Sequence, residues 1–501
     1  MADAKQVVLI MTDSQGANVV GCYGRPEMRT PNIDRLAREG MRFDRAYTAS
    51  PVCGPARSAI FTGTFPHTNG SWGNDMPIGL NVKTVGQRLS DRGIRAAYIG
   101  KWHLDGTDYF GSGRCPDGWS DDYWFDMRRY LDAMSPEDRK LSRELDTPEK
   151  AHQHGITEGF TFAHQCSDRA IRFLSDHRVE PFLLVVSYDE PHHPFTCPPP
   201  YCDMFVNFDY PVGANASDPL TGRPPHIREW AEEARLPTGR KSLRSPMYFG
   251  CNAFVDHEIG RLLAAIDAHA PDALVIYTSD HGEPLLSHGL PAKGPAMYDE
   301  TTRVPFIVRW PGRTPESTAN PNPVSHIALT PTLLDAFGLE TPPFLEGRSM
   351  LAAFTNPAAR PNDVIFVEFN RYEVDHDSWG GYQPIRCAFD GRFKLAINLL
   401  STDEMYDLQT DPQEMVNLIE SDTHAPIRDR LHAAILDWMG DTRDPFRGPV
   451  WERRPWQPRR TLCWRGSVRN RKDDGYERRV LDYLTGLEVE QWVAERKRGG
   501  A

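Results

Sequence analysis

The segment Val7-Val8-Leu9-Ile10-Met11-Thr12-Asp13 is an unbroken apolar run from Val7 to Met11, followed by a threonine and a carboxylate. Two later stretches, Phe182 to Val186 and Ala273 to Tyr277, are likewise continuous runs of apolar residues. Runs of this length are typical of strands buried on both faces, as in a parallel sheet. Between them, Thr161 to His177 and Tyr248 to His269 space their apolar residues by three and four, which predicts helices. The sequence therefore predicts an α/β architecture with a mostly parallel sheet between helices.

Acidic residues follow two of these predicted strands. Asp13 comes two residues after the first apolar run, and Asp280 with His281 follows Ala273 to Tyr277 by a similar margin. Ligands of open α/β sheets bind outside the carboxyl ends of the strands. We therefore expect these side chains to meet at one edge of the sheet.

Composition limits the classes of function. A chain of 501 residues can bury a large core, and its net charge of −12 argues against nucleic acid as a partner. No segment has the apolar length of a membrane span. The first residues lack the layout of a secretory signal, so a cytoplasmic enzyme is expected. Nine scattered cysteines indicate neither a disulfide framework nor a zinc site.

The hydrophobic pattern of the sequence changes after about residue 355. Short alternating stretches predict an antiparallel sheet, followed by a helix near Ile427 to Met439. The predicted strands are Val364 to Phe369, Arg386 to Phe389 and Lys394 to Asn398. We predict a catalytic α/β domain over 1–355, a smaller α+β subdomain over 356–445 and an Arg/Trp-rich tail over 446–501. The tail is expected to pack on an acidic surface or on a second copy in a homo-oligomer, with a nucleic-acid arm as the alternative.

The stretch from Pro51 to Gly63 reads Pro-Val-Cys-Gly-Pro-Ala-Arg-Ser-Ala-Ile-Phe-Thr-Gly. Pro55 is suited to the first helical position, which would place Cys53 at a helix start, where unpaired N–H groups and the helix dipole favour anions. Arg57, about one turn later, would direct a cation to the same place. The Cys-x-Pro-x-Arg core followed by Thr-Gly resembles the sulfatase signature. A tyrosine-phosphatase loop is excluded because it needs five residues between Cys and Arg, and this chain has three.

The chain resembles formylglycine-dependent (type I) sulfatases of the alkaline phosphatase-like superfamily over roughly residues 5 to 440. The resemblance implies that fold, with the small C-terminal subdomain, and conversion of Cys53 to formylglycine by a formylglycine-generating enzyme. One hydroxyl of the hydrated aldehyde would attack a sulfate ester, and the other would lose its proton to expel sulfate. A buried structural cysteine, or a thiol left unconverted by the host, is the alternative.

The stretch Asp280-His281-Gly282-Glu283, with Lys293 and the strand beginning at Arg303, resembles the second metal-binding segment of sulfatases. By resemblance, the ligands of a divalent cation would be Asp13, the modified Cys53, Asp280 and His281. Such a cation lowers the pKa of the nucleophilic oxygen and offsets the charge of the sulfuryl group. Calcium is common in the family and is expected here. Ser14, where many sulfatases have a second aspartate, and His281, where others have Asn, leave manganese or magnesium open.

Two further stretches resemble sulfatase active-site segments. Gly100-Lys-Trp-His-Leu104 is similar to the second signature, although the residues before it depart from the family pattern. It implies that Lys101 and His103 contact the formylglycine oxygens, and that His103 takes the proton whose loss frees sulfate. Pro-His-His-Pro, which follows Phe182 to Val186, is similar to a segment whose first histidine, here His192, protonates the leaving oxygen. Lys293 would share this role and hold a sulfate oxygen.

Polar groups near these segments are candidates for substrate binding. They are Trp72, Asn74, Asp75, Asn370, Arg371 and His376. Carboxylate, amide and Arg groups beside aromatic faces hold hydroxyl-rich ligands, whereas a simple aryl group would need an apolar slot. A sulfated carbohydrate is therefore the expected substrate. The same residues could instead cap loops and bridge the two domains.

Three functions remain open from the sequence. The first is a sulfatase that hydrolyses a sulfate ester, and the second is a phosphonate monoester or phosphodiester hydrolase with the same nucleophile. The departures at Ser14 and His281 favour the second. The third is a non-catalytic binder of sulfated glycans. The presence of Lys101, His103 and His192 argues against a binder, because binding needs neither a base nor an acid.

Overall fold

The computed structural model describes residues 4–106, 110–233, 242–375 and 381–460. The strands, in chain order, are β1 (Gln6–Thr12), β2 (Met41–Tyr47), β3 (Arg95–Gly100), β4 (Phe182–Ser187), β5 (Tyr210–Pro211), β6 (Ser242–Leu243), β7 (Leu274–Ser279), β8 (Arg303–Val304), β9 (Phe306–Arg309), β10 (Thr318–Ser325), β11 (Ile365–Arg371), β12 (Tyr382–Phe389), β13 (Phe393–Asn398) and β14 (Glu404–Asp407). The α-helices are α1 (Pro31–Arg38), α2 (Cys53–Thr62), α3 (Pro66–Asn69), α4 (Val85–Ser90), α5 (Met127–Asp132), α6 (Pro136–Glu144), α7 (Pro148–Gln153), α8 (Phe162–Asp176), α9 (Pro225–Glu233), α10 (Pro246–His269), α11 (Asp299–Thr302), α12 (Leu329–Ala336), α13 (Ala425–Asp441) and α14 (Pro449–Glu452).

An eight-stranded sheet has the order β10-β2-β9-β7-β1-β4-β3, with β8 paired to β2. β1 lies between β4 and β7 and is parallel to both, and its Val7 pairs with Leu183 and Leu274. β8 and β9 run against their neighbours. Because β1, β3, β4 and β7 are parallel neighbours, the residues that follow them meet at one edge. The prediction of a mixed, mostly parallel sheet is confirmed.

Both faces of this sheet are buried. In β1, Val8 and Ile10 pack in the core beneath α8 and α10, whereas Val7 and Leu9 pack in the core beneath α12. Each fully buried aliphatic side chain of this kind contributes about 1.5–3 kcal/mol to stability. The continuous apolar runs are therefore explained by helices that cover both faces.

The two helices predicted from periodicity are present with small differences at their ends. The side chain of Thr161 accepts a hydrogen bond from the His164 N–H and caps α8. α10 begins at Pro246, two residues before the apolar pattern, because proline is well suited to the first turn. Within the described ranges, no helix is both long and apolar enough to cross a membrane.

A separate antiparallel sheet, in the order β11-β12-β13-β14, follows the large sheet in sequence. α13 packs against it, with Leu431 and Ile435 in the same core as Leu395 and Ile397. The smaller antiparallel sheet is thus confirmed, while the exact domain boundaries stay a prediction. The first residues of the predicted tail are described: Arg454 forms an ion pair with Asp403. Residues 461–501, which hold the rest of the tail, lie outside the described residues.

Candidate functional site

The carboxyl edge of the large sheet brings four side chains to one point. Asp13 follows β1, Asp280 and His281 follow β7, and Cys53 is the first residue of α2. One ligand atom from each of the four lies within 4.8 Å of the others. All four side chains are buried. The structure therefore brings together the four residues that the sequence suggested as metal ligands.

The orientation of His281 suits a metal ligand. Its Nδ1–H donates to the carbonyl oxygen of Gly282 at 2.8 Å, and its Nε2 lies 3.1 Å from Cys53 Sγ. Burial lowers the pKa of His281, so the imidazole is neutral and its Nε2 carries a lone pair. A second hydrogen bond that fixes the tautomer is usual for metal-binding histidines.

Arg57 clamps the two carboxylates. Its Nη2 lies 2.9 Å from Asp13 Oδ2, and its Nε lies 3.0 Å from Asp280 Oδ2. Burial and the nearby Asp13 raise the pKa of Asp280 to about 7. A divalent cation held between the two carboxylates would offset this repulsion. Two carboxylates, an imidazole nitrogen and residue 53 form a donor set that fits such a cation.

α2 begins two residues earlier than Pro55 suggested, because a helix tolerates proline throughout its first turn, where the N–H groups have no intrahelical partner. The Gly54 N–H donates to Asn74 Oδ1 at 3.0 Å, a contact the sequence did not predict. Burial and Asp13 raise the pKa of the Cys53 thiol. An unmodified Cys53 would therefore be protonated and a weak nucleophile.

Lys101 lies between two carboxylates. Its Nζ is 2.9 Å from Asp13 Oδ2 and 3.2 Å from Asp189 Oδ1. Burial lowers the pKa of Lys101, but Asp13, Cys53 and Asp189 together outweigh burial, and the net pKa is raised. Sequence reasoning missed Asp189, although its position two residues after β4 is a signal of the kind that identified Asp13. Burial and Lys101 lower the pKa of His103 well below its usual value, which leaves a neutral imidazole.

Lys293 and His192 complete the cluster. Lys293 Nζ donates to Ser14 Oγ at 3.1 Å, and Ser14 Oγ donates to Asp13 Oδ1 at 3.0 Å. The Nδ1–H of His192 donates to the His193 carbonyl oxygen. Burial and then Lys101 lower the pKa of His192 well below its usual value. Ser14 thus connects Lys293 to the carboxylate cluster in place of a further acidic ligand.

A pocket of about 220 Å³ adjoins the cluster and is lined in part by His192, Lys293 and Ser14. Its apolar wall consists of Phe195, Leu243, Tyr248, Leu285, Leu286 and Tyr372. Glu283 is its one lining carboxylate. None of the side chains suggested for substrate binding is among the described residues that line this pocket, so the polar groups on which the expectation of a carbohydrate rested do not form its wall.

Those candidate side chains have other partners. Asn370 donates to Glu368 and accepts from Arg386 within the C-terminal sheet. Asp75 accepts a bond from the Val374 N–H at 3.3 Å. The rings of Trp72 and Phe446 lie 5.4 Å apart, and the Arg371 guanidinium lies over the Tyr382 ring. The contacts of Trp72 and Asp75 thus join the segment after α3 to the C-terminal part of the chain, whereas those of Asn370 and Arg371 lie within the C-terminal sheet. His376 lies outside the described residues.

Known proteins resemble this chain along most of its length. The Sulfatase family model matches residues 5–339, and the model for N-sulphoglucosamine sulphohydrolase, C-terminal, matches residues 288–440. The uncharacterized sulfatase YidJ of Escherichia coli (strain K12) is 46% identical over 496 residues, which is 98% of each chain.

Solved structures share the fold. BT4656 in complex with its substrate D-glucosamine-2-N, 6-O-disulfate has a TM-score of 0.72 at 22% identity, covering 89% of this chain and 99% of that one. The phosphonate monoester hydrolase of Agrobacterium radiobacter has a TM-score of 0.70 at 22% identity, covering 87% and 96%. The predicted family, fold and enzyme class are confirmed: the chain belongs to the sulfatase family of the alkaline phosphatase-like superfamily and is a sulfuric ester hydrolase.

Proposed function

We propose that this enzyme hydrolyses a sulfate ester of a carbohydrate, with a formylglycine made from Cys53 as nucleophile and one divalent cation. The observation that carries the proposal is the convergence of Asp13, Cys53, Asp280 and His281 within 4.8 Å. Arg57 and Lys101 both form ion pairs with Asp13. Such a centre can hold an anionic ester and a cation together.

Asp13, Asp280, His281 and the oxygen of residue 53 would hold the cation, which supplies Lewis acidity toward the nucleophile and the sulfuryl oxygens. Calcium remains the first expectation. The imidazole ligand, and Ser14 at the position of a second aspartate, keep manganese and magnesium as the alternatives. The hydrated aldehyde would supply one hydroxyl for attack and a second whose deprotonation releases sulfate.

The remaining groups bind charge or move protons. Lys101 and Lys293 would hold sulfate oxygens as fixed cations. The neutral imidazole of His103 would accept the proton whose loss frees sulfate. His192 is neutral in the free enzyme, and the negative charge of a bound ester would raise its pKa and allow it to protonate the leaving oxygen.

Two observations bear on the substrate. BT4656, whose complex contains a disulfated glucosamine, shares the fold and supports a sugar. The phosphonate monoester hydrolase shares the fold equally well. With Ser14 in place of a second aspartate, the centre carries one negative charge fewer than that of many sulfatases. Hydrolysis of phosphonate monoesters is therefore the second candidate activity.

A matched pair of substrates separates these activities. The chain is co-expressed with a formylglycine-generating enzyme, and kcat/KM is measured on 4-nitrophenyl sulfate and 4-nitrophenyl phenylphosphonate. We expect kcat/KM on the sulfate to exceed that on the phosphonate by at least ~10-fold, which corresponds to about 1.4 kcal/mol in activation free energy. Chelation should abolish turnover, and re-addition of Ca²⁺, Mn²⁺ or Mg²⁺ identifies the cation. A reversed preference would make phosphonate hydrolysis the main activity.

The maturation partner, the cytoplasmic location and a homo-oligomer formed through the tail belong to the same proposal. The cysteines in the described ranges are free thiols, as in reducing compartments. Expression without the converting enzyme should give inactive protein. Cell fractionation tests the location, and light scattering of chains with and without residues 461–501 tests the oligomer.

A further inference from the structure

The pocket beside the cluster is small. Its volume is about 220 Å³, whereas pockets that enclose drug-sized ligands measure roughly 300–1,000 Å³. His192 and Lys293 form part of its wall, so the pocket begins where the leaving oxygen of the ester would lie. A space of this size accommodates one ring rather than a chain of several units.

The apolar wall suits the face of a ring. Phe195 and Tyr248 pack edge to face, with ring centroids 5.7 Å apart. Leu285 and Leu286 both have positive φ angles, 49° and 74°, in the left-handed region that branched residues rarely adopt. Strain of this kind is retained where surrounding structure fixes a ligand clamp. Here it holds two leucine side chains in the pocket wall.

Glu283 is the one carboxylate that lines this wall, and it is half-buried. The backbone N–H of Lys293 lies against it. The Lys293 ammonium donates instead to Ser14. Among the described residues, no side chain forms an ion pair or a hydrogen bond with the Glu283 carboxylate. The Lys293 N–H is one donor to this carboxyl group, and a polar group on a ligand in the pocket would supply a second.

We propose that this pocket binds the alcohol part of the substrate as a single ring-sized unit, and that Glu283 accepts a hydrogen bond from a hydroxyl or ammonium group of that unit. The assignment rests on the proposed hydrolysis of sulfate esters and adds a substrate class to it. The enzyme would act on sulfated monosaccharides or on terminal units, and would not act on sulfates inside a polymer.

Three small esters test the role of Glu283. Glucose 6-sulfate offers hydroxyl donors, glucosamine 6-sulfate adds an ammonium, and cyclohexylmethyl sulfate has the ring without donors. Glu283→Leu should lower kcat/KM on both sugars by about 10- to 100-fold and on cyclohexylmethyl sulfate by less than about threefold. Glu283→Gln keeps a hydrogen-bond acceptor but removes the negative charge. A fall in kcat/KM confined to glucosamine 6-sulfate would therefore identify the ammonium group as the donor.

Glu316→Gln is the matched control, because Glu316 is exposed in the turn between β9 and β10, at the opposite edge of the sheet. It should change none of the three rates. Equal losses on all three esters in Glu283→Leu would overturn the proposal, since Glu283 would then act on the centre. Rapid release of sulfate from the interior of intact heparan sulfate would overturn the single-unit part.

Calorimetry separates this proposal from the proposed function. Glucose 6-sulfate is titrated into Cys53→Ala, with and without Glu283→Leu, and the second change should weaken binding by about 10-fold or more. Ala292→Phe is the second test, for use if Glu283→Leu fails to fold. Its ring fills the pocket from a partly exposed position and should abolish binding of glucose 6-sulfate. Unchanged affinity in both variants contradicts the pocket assignment. Absence of turnover in the mature wild type contradicts only the proposed function.

Discussion

The centre is formed mainly by charged side chains, whereas the pocket beside it is formed mainly by apolar ones. The centre consists of buried charges: Asp13 and Asp280 follow adjacent strands, and Arg57 of α2 forms an ion pair with each of them. The wall of the pocket away from the centre consists mainly of apolar side chains from segments far apart in the sequence, such as Phe195, Leu286 and Tyr372. We therefore expect changes in the centre to affect the reaction itself, and changes in the loops that form the pocket to affect the choice of substrate.

This contrast has a kinetic consequence. A change in the centre should lower turnover of every ester, because all of them need the same charges in the transition state. A change in the pocket should alter the choice among esters and leave the smallest ones nearly unaffected.

The largest effect is expected from Cys53→Ala. Removal of the nucleophile should lower kcat by roughly 10⁴-fold or more on sugar, alkyl and aryl sulfates alike. Cys115→Ala, at a partly exposed cysteine in the 113–118 loop, is the control and should retain full activity. Initial rates on the three classes of ester provide the measurement. Substantial residual turnover of any one class would show that another group attacks sulfur.

His192→Ala should separate esters by their leaving groups. An alkyl sulfate needs a proton on the departing oxygen, so its rate should fall by about 10²- to 10⁴-fold. 4-Nitrophenolate leaves without a proton, and its ester should lose far less. His193→Ala, at the exposed neighbour, should affect both esters similarly and weakly. Equal large losses in His192→Ala would assign His192 to binding of the sulfate.

Phe195→Ala removes half-buried aromatic surface from the pocket wall. We expect kcat/KM on glucose 6-sulfate to fall by roughly 5- to 30-fold, which corresponds to about 1–2 kcal/mol of lost contact. Methyl sulfate, which has no ring, should be hydrolysed at nearly the wild-type rate. Phe160→Ala, a partly buried change near α8, is the control. If methyl sulfate loses as much as the sugar, the division between centre and pocket fails.

The smallest effect concerns a buried charge pair outside both regions. His67 Nδ1 contacts Glu368 and joins the segment after α2 to β11. Burial lowers the pKa of His67, but the charge and hydrogen bond of Glu368, together with the charge of Asp444, outweigh burial, and the net pKa lies above 6.5. The pair therefore stabilises the fold fully below about pH 6.5 and less as pH rises through the folded pKa.

The stability test compares wild type with His67→Gln. The Tm of wild type should exceed that of the variant by more at pH 6 than at pH 9, with a difference on the order of 1–2 °C. The ratio of rates on glucose 6-sulfate and cyclohexylmethyl sulfate should remain unchanged. A Tm difference that grows with pH would contradict the sign of the charge interaction.

The sequence predicted the sheet and the centre because both depend on short-range patterns. Apolar runs identify strands buried on both faces, and the residue types that follow them identify chemistry at one edge. Asp189 was within reach of this logic, since it follows β4 as Asp13 follows β1. Its contact with Lys101 depends on the lateral order of the strands, which a local pattern does not contain.

The pocket could not be predicted in the same way. Tyr372 and Phe195 are far apart in the chain, and their meeting depends on loop paths rather than on periodicity. Glu283 was part of a recognised stretch, but its direction depends on the backbone after β7. Asn370 looked like a ligand for hydroxyl groups because it is polar. It is buried because Arg386 supplies a partner inside the sheet.

The central claim is that residue 53 attacks as an aldehyde hydrate. Mass spectrometry of the tryptic peptide that ends at Arg57 tests it directly, on protein whose turnover of a sulfate ester has been measured in the same preparation. We expect the peptide to carry an aldehyde or its hydrate in place of the thiol, in a fraction that rises in proportion to kcat across preparations. Full turnover by protein in which every such peptide retains cysteine would contradict the account.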